Sequence, residues 1–179
     1  DYNRSQDTTE VAIDAQLSNW AIAGKSVPEK FSGREVTLAY IDTSTPFIRI
    51  HGREQLNTDL FLRSAPSFLV PIIKLVFLED ITTRYYNPRK AVIDLIANLI
   101  KEQRRDLVEP FIREANRFFS EEAVQEGASA IKVKDVTRYY REDAFIWGLY
   151  LALRRFDRFL HTSILHKPYP YILPGKIRR

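Results

Sequence analysis

Sulfur is missing from this sequence. Its 179 residues include no cysteine and no methionine. Without cysteine there is no disulfide framework, no thiolate metal site, no iron–sulfur cluster and no thiol nucleophile. Without methionine, even at position 1, the start reads as processed, excised or missing from the record. Glycine is scarce, with six residues and no Gly-x-Gly-x-x-Gly dinucleotide fingerprint. Of the three histidines, His161 and His166 are five apart, off the four-residue spacing of a helical metal pair, and His51 is remote. No metal and no cofactor is therefore expected. The longest apolar run, Phe68 to Leu78, has 11 residues and contains Lys74, whereas a membrane span needs about 20. The polar opening Asp1-Tyr2-Asn3-Arg4-Ser5 does not read as a signal peptide.

What is present is ordinary for a folded chain: 45% hydrophobic and 28% charged residues, enough to bury a core in one domain. Five Gln, six Asn, nine Pro and 18 Arg against 9 Lys, with the missing sulfur, match tendencies of thermophilic proteins; chance in a short chain is the alternative. The net charge of +4 is unevenly spread. Residues 1–90 carry 11 basic and 11 acidic side chains, while residues 138–179 carry nine basic and three acidic. A positive C-terminal end points to a polyanionic partner, with a solvated basic tail as the bland alternative.

The pattern predicts a mainly α fold: a helical bundle with a small β-hairpin and extended N- and C-terminal arms. Residues 1–8 form a mobile arm, 9–165 a single helical domain, and 166–179 a Pro-rich basic arm. Thr9 to Ala23 reads as a helix, with Val11, Ile13, Leu17 and Trp20 in partial helical spacing. Arg34 to Asp42 and Phe47 to Ile50 read as the hairpin, joined by a turn at Thr43 to Pro46. Arg53 to Ser64 and Ser67 to Tyr86 read as helices. Asn87-Pro88 is a start signal, a cap residue then proline, for a helix with the stripe Val92, Leu95, Ile96, Leu99, Ile100. Pro110 kinks or restarts it, Phe111 to Phe119 continue an apolar face, and Gly127 ends the segment. Ala130 to Val136 reads as a short strand. Tyr139 to Leu165 is the last helix, with Phe145, Leu149, Ala152, Leu153, Phe156 and Leu160 as its core face. Thr83-Arg84-Tyr85-Tyr86 recurs as Thr137-Arg138-Tyr139-Tyr140; in an Arg- and Tyr-rich chain two copies read as coincidence rather than a repeat array.

Catalytic motifs fail on inspection. Ala23-Gly24-Lys25-Ser26 resembles the end of a phosphate loop, but Asn19 stands where that loop needs glycine. The acid pairs Glu79-Asp80, Glu121-Glu122 and Glu142-Asp143 sit near helix termini, and for the last two the helix dipole explains them. No catalytic residue is assigned, and the chain is expected not to be an enzyme.

Binding features remain. Arg154, Arg155 and Arg158 lie at spacings that cluster their guanidinium groups on the face away from Phe145, Leu149 and Phe156. Arg84, Arg89, Lys90, Arg138 and Arg141 form two basic–aromatic knots at helix starts, where cations oppose the dipole unless an anion intervenes. Lys167, Lys176, Arg178 and Arg179 make the tail basic, and Tyr169 and Tyr171, alternating with Pro168 and Pro170, suit the grip on a neighbouring subunit. These twelve basic residues are the expected nucleic-acid contacts.

In style the chain resembles the helical coat proteins of filamentous DNA viruses of hyperthermophilic archaea. The resemblance rests on Asn87-Pro88 opening a long helix, on the Arg154, Arg155, Arg158 face, and on the Lys176 to Arg179 tail; the strands near Arg34 to Ile50 depart from it. It implies a structural coat or packaging protein that assembles with copies of itself or a related subunit around double-stranded DNA through phosphates. The location it implies is a virion or host cytoplasm. The alternatives are a scaffold subunit of a larger complex without nucleic acid, and an enzyme domain with dispersed carboxylates.

Overall fold

The computed structural model describes residues 8–23, 37–42, 47–57, 68–76, 83–122 and 129–175, with a few single positions between 58 and 66. The expected turn at Thr43 to Pro46, the stop at Gly127, the first seven residues and the Lys176 to Arg179 tail lie outside them. The fold is mainly helical, and its described strands form two small antiparallel sheets.

The first segment is not a helix. It forms strand β1 (Thr9–Ala12), a single 3-10 turn (Leu17–Asn19) and strand β2 (Trp20–Ile22). Two local causes outweigh its partial helical spacing. Thr9, Val11 and Ile13 are β-branched and alternate, a period-two pattern. Asp14 then captures the backbone, accepting from the Gln16 N–H at 3.0 Å while its carbonyl accepts from the Asn19 side chain at 3.3 Å. Such local bonds compete with helix formation.

The hairpin is also rearranged. Strand β3 (Leu38–Tyr40) pairs with β2, Trp20 opposite Tyr40 and Ile22 opposite Leu38. Strand β4 (Phe47–Ile50) lies between β1 and β5 (Arg53–Glu54), with Ala12 opposite Phe47 and Arg49 opposite Glu54. The tight turn is therefore β4–β5, through His51 (φ 47°) and Gly52 (φ 73°). Positive φ at both central residues matches the twist of a two-residue hairpin. This strand replaces only the start of the helix expected over Arg53 to Ser64; Asp59 and Leu62, described singly, are helical.

Within the expected Ser67 to Tyr86 helix, α1 covers Val70–Val76 with Pro71 in its first turn. Helix α2 (Pro88–Lys101) starts as its sequence predicts, the Asn87 side chain accepting from the Lys90 N–H at 3.0 Å. Ile96 to Ile100 are all buried, so α2 is the central element rather than a one-faced surface helix. It ends before Pro110. Gln103 takes a left-handed conformation (φ 61°), and the Arg104 N–H returns to the Leu99 carbonyl at 2.7 Å. Helix α3 (Val108–Glu121) follows, with Pro110 in its first turn, where proline is tolerated.

The strand expected at Ala130 to Val136 is absent, because Val133 already begins helix α4 (Val133–Phe159), which widens into a π-helical turn over Leu160–Ile164. The β-branched Ile131, Val133 and Val136 imitate a strand, but the Lys132 N–H donates to Asp135 at 3.1 Å and fixes a helix start. The core gathers Ile93, Ile96, Ala97, Ile100, Val108, Ile112, Ile131 and Val136 from α2, α3 and the first turn of α4.

Candidate interaction surface on the last helix

Helix α4 changes character along its length. Its N-terminal part belongs to the core: Val136 is fully buried, Tyr139 and Tyr140 pack against the α2 cluster, and Asp143 pairs with Lys101 at 3.1 Å. Beyond Asp143 the pattern inverts. The buried side chains there are Arg154 and Asp157, while Phe145, Leu149, Ala152, Phe156 and Phe159 are exposed. Phe145 keeps 70% of its surface in water and Phe156 53%. Of the face expected to be core, Phe145, Leu149, Ala152 and Phe156 are thus open while Leu153 and Leu160 are half-buried, and the arginine expected to face solvent is inside.

The C-terminal arm causes the inversion. His166 takes φ 50°, the Lys167 N–H returns to the His161 carbonyl at 2.9 Å, and the chain doubles back along α4. Tyr171 stacks on the Arg154 guanidinium at 4.3 Å from the ring centre, with Tyr150 and Tyr169 at 5.8 and 5.9 Å. Tyr169 meets His161 and Tyr171 edge to face, and His161 lies 3.4 Å from the Asp157 carboxylate. Arg155 donates to the Gly175 carbonyl at 3.3 Å. Residues 150, 154, 157 and 161 lie on the side of the helix opposite 145, 149, 152, 156 and 159 at 100° per residue. The arm therefore occupies the back of α4 and leaves the apolar face open. Arg154, Tyr169 and Tyr171, expected as a phosphate contact and two subunit contacts, come together with one another.

Other expected contacts are drawn into the fold. Arg89 donates to the Ser129 carbonyl (2.8 Å), the Ala130 carbonyl (3.4 Å) and Asp135 (2.8 Å), tying α2 to the start of α4. Burial would raise the Asp135 pKa, but the Lys132 N–H and Arg89 outweigh it and hold the carboxyl below its usual range. Arg84 lies over the Tyr139 ring at 4.4 Å. Arg138 approaches Glu142 at 4.0 Å. Lys90, Arg141, Arg155, Arg158 and Lys167 are exposed. Lys176, Arg178 and Arg179 lie outside the described residues.

The first basic–aromatic knot serves the sheet. Phe47 packs on Tyr85 at 5.1 Å, Arg49 lies over Tyr86 at 3.9 Å, and the Tyr86 hydroxyl donates to Glu54 at 3.0 Å. Tyr85 donates to Asp94 at 3.0 Å, and Asn98 donates to the same carboxylate at 3.2 Å. Burial, then the charges of Asp94 and Asp14, push the Tyr85 phenol far above its ordinary value; burial and Asp94 do the same to Tyr139. Burial also raises Asp14. Sequence reading missed Asp94, which looks like any polar residue within α2. Among the described residues, no group of three acidic or histidine side chains could hold a metal, and no helix is long and apolar enough to cross a membrane.

The model of a family of unknown function, DUF6206, matches residues 2–158, and the chain belongs to that family. No curated protein and no solved structure matches. The match takes in α4 up to Arg158 and leaves the arm outside it.

Proposed function

We propose that this chain is a non-enzymatic structural subunit of a protein assembly, and that the C-terminal half of α4 is its contact face. The observation that carries the reading is the run Phe145, Leu149, Ala152, Phe156, Phe159: one apolar strip, exposed throughout, with no charged member. Contiguous exposed apolar surface of this kind marks an interaction site. Water contact at four large side chains opposes leaving it open, at roughly 25 cal/mol per Å².

The test separates a contact face from a core. Leu149→Glu with Phe156→Glu is expected to keep the helicity and melting temperature of the dilute wild-type chain and to raise its solubility, as circular dichroism and turbidity would read. Unfolding of the double variant at low concentration would overturn the reading, since it would place the strip in the core.

A second reading adds nucleic-acid backbone, as a coat or packaging subunit would need. It is favoured by Arg141, Arg155, Arg158 and Lys167, exposed and with no ion-pair partner among the described residues. Cations so placed suit phosphates, which contribute affinity without base readout.

A further inference from the structure

We infer that Asp14 is a proton-gated latch, which docks the segment joining β1 to β2 onto helix α2 when its carboxyl carries a proton and loosens it when the carboxyl is ionised.

The segment sits at a junction. Strand β1 pairs with β4 and β2 with β3, so residues 13–19 join one small sheet to the other and lie outside both ladders. Asp14 sets their shape, its side chain accepting from the Gln16 N–H at 3.0 Å and its carbonyl from the Asn19 side chain at 3.3 Å. Leu17, from the same segment, packs against the helical core.

The Asp14 carboxyl also faces a second one. Asp94 on α2 is 1% exposed, and the Tyr85 hydroxyl donates to it at 3.0 Å. Asp14 hydrogen-bonds the same Tyr85 hydroxyl. A phenol has one proton. While that proton points at Asp94, Asp14 meets only the lone pairs of the Tyr85 oxygen. An ionised Asp14 sets oxygen against oxygen, with a second carboxylate behind. A protonated Asp14 donates to Tyr85 and completes a chain from the β1–β2 segment to α2. Two carboxyls coupled in this way resist ionising together.

The surroundings decide which of the two holds the proton. Asp94 takes hydrogen bonds from Tyr85, from Asn98 at 3.2 Å and from Tyr139, a donor set that suits an anion. Arg84, over the Tyr139 ring at 4.4 Å, and Lys101, paired with Asp143 at 3.1 Å, place cations on that same side. Asp14 faces the buried Tyr40 hydroxyl, with Asp42 beyond it. Burial, helped by the Asp94 charge, outweighs the donors at Asp14 and holds its carboxyl above the ordinary value.

The sign follows. A carboxyl raised in the folded state contributes stability that is full below its unfolded value, about 4, and is lost as pH rises through the folded value. The latch is closed in acid and loosens above it.

Asp14→Asn tests this in the full chain, since the carboxamide is uncharged and donates at every pH. Urea unfolding of both proteins across about pH 4 to 8 gives the ratio of their folding constants. The ratio should move in favour of the variant as pH rises, by up to about tenfold per pH unit until the folded value is passed. A flat ratio, or one that moves towards wild type, would overturn the latch. Asp94→Asn should shrink the wild-type fall, and an undiminished fall would place the titration outside this pair. Amide exchange reads the segment itself, through the Ile41 N–H that donates to the Asn19 carbonyl at 2.9 Å. Its protection should drop with pH in wild type ahead of the α2 amides, and hold in Asp14→Asn. Ile41 and α2 losing protection together would show that the segment does not open by itself, and would sink the gating.

Discussion

Arg154 and Phe156 sit two residues apart on α4, and the charged one is buried while the aromatic one is exposed, at 6% and 53% of their surfaces. Burial of a guanidinium is costly unless its charge is accommodated. Here the accommodation is aromatic: Tyr171 at 4.3 Å, with Tyr150 and Tyr169 near 6 Å, and a hydrogen bond to the Tyr150 hydroxyl at 3.2 Å. Each such contact contributes on the order of 0.5–2 kcal/mol when desolvated.

The arm should therefore depend on Arg154. Arg154→Ala is expected to free residues 166–175 without unfolding the core, since the α2–α3–α4 cluster does not include Arg154. Chymotrypsin should cut after Tyr171 much faster in the variant, and amide exchange should rise in the arm alone. Arm protection equal to wild type would show that the tyrosines hold without the cation.

A second dependence runs between α3 and the start of α4. The Asn116 side chain donates to the Ile131 carbonyl at 3.0 Å and accepts from the Ile131 N–H at 2.8 Å. Ile131 is buried, so losing the carboxamide leaves two backbone groups unpaired, at about 1–3 kcal/mol each. Asn116→Ala should lower stability by about 2–4 kcal/mol in urea unfolding. Asn116→Asp keeps the acceptor and loses the donor, and should fall between the two.

How much of this was legible in the sequence depends on whether local chemistry or tertiary context decided each element. The start of α2 was readable because Asn87 and Pro88 act locally. The first fifteen residues of the described chain were not. Their helical spacing was real, and only the Asp14 bonds and pairing with distant Phe47–Ile50 reveal the strand. For α4 the stripe itself was visible, but a stripe does not say whether its partner is the same chain. That depends on where the arm docks, and the docking runs through Arg154, which sequence assigned to solvent. Arg89 was misplaced for a similar reason, since its partners Ser129 and Asp135 lie 40 and 46 residues on.

The tyrosines predict alkaline sensitivity. Tyr85 and Tyr139 are held well above an ordinary phenol by burial and by Asp94. A group whose folded pKa is raised contributes stability that is intact below its unfolded value, about 10, and is lost as pH rises beyond it. The melting temperature should fall steeply above about pH 10. Tyr85→Phe should flatten that fall while costing about 1–3 kcal/mol at neutral pH, because Asp94 loses a donor at 1% exposure. An alkaline limb unchanged in the variant would place the sensitivity elsewhere.

Nucleic-acid binding, if it occurs, should follow the exposed cations and not the buried one. Neutralising phosphates with Arg141, Arg155, Arg158 and Lys167 predicts affinity for duplex DNA that falls with salt, each contact adding about 0.9 to the logarithmic slope. Arg155→Ala and Arg158→Ala should each lower the slope by about that amount and weaken binding alike on every sequence. Arg154 itself faces tyrosines, so Arg154→Ala should change the slope by no more than Lys167→Ala does through the released arm. No binding to duplex DNA at low salt would leave α4 as a protein contact alone.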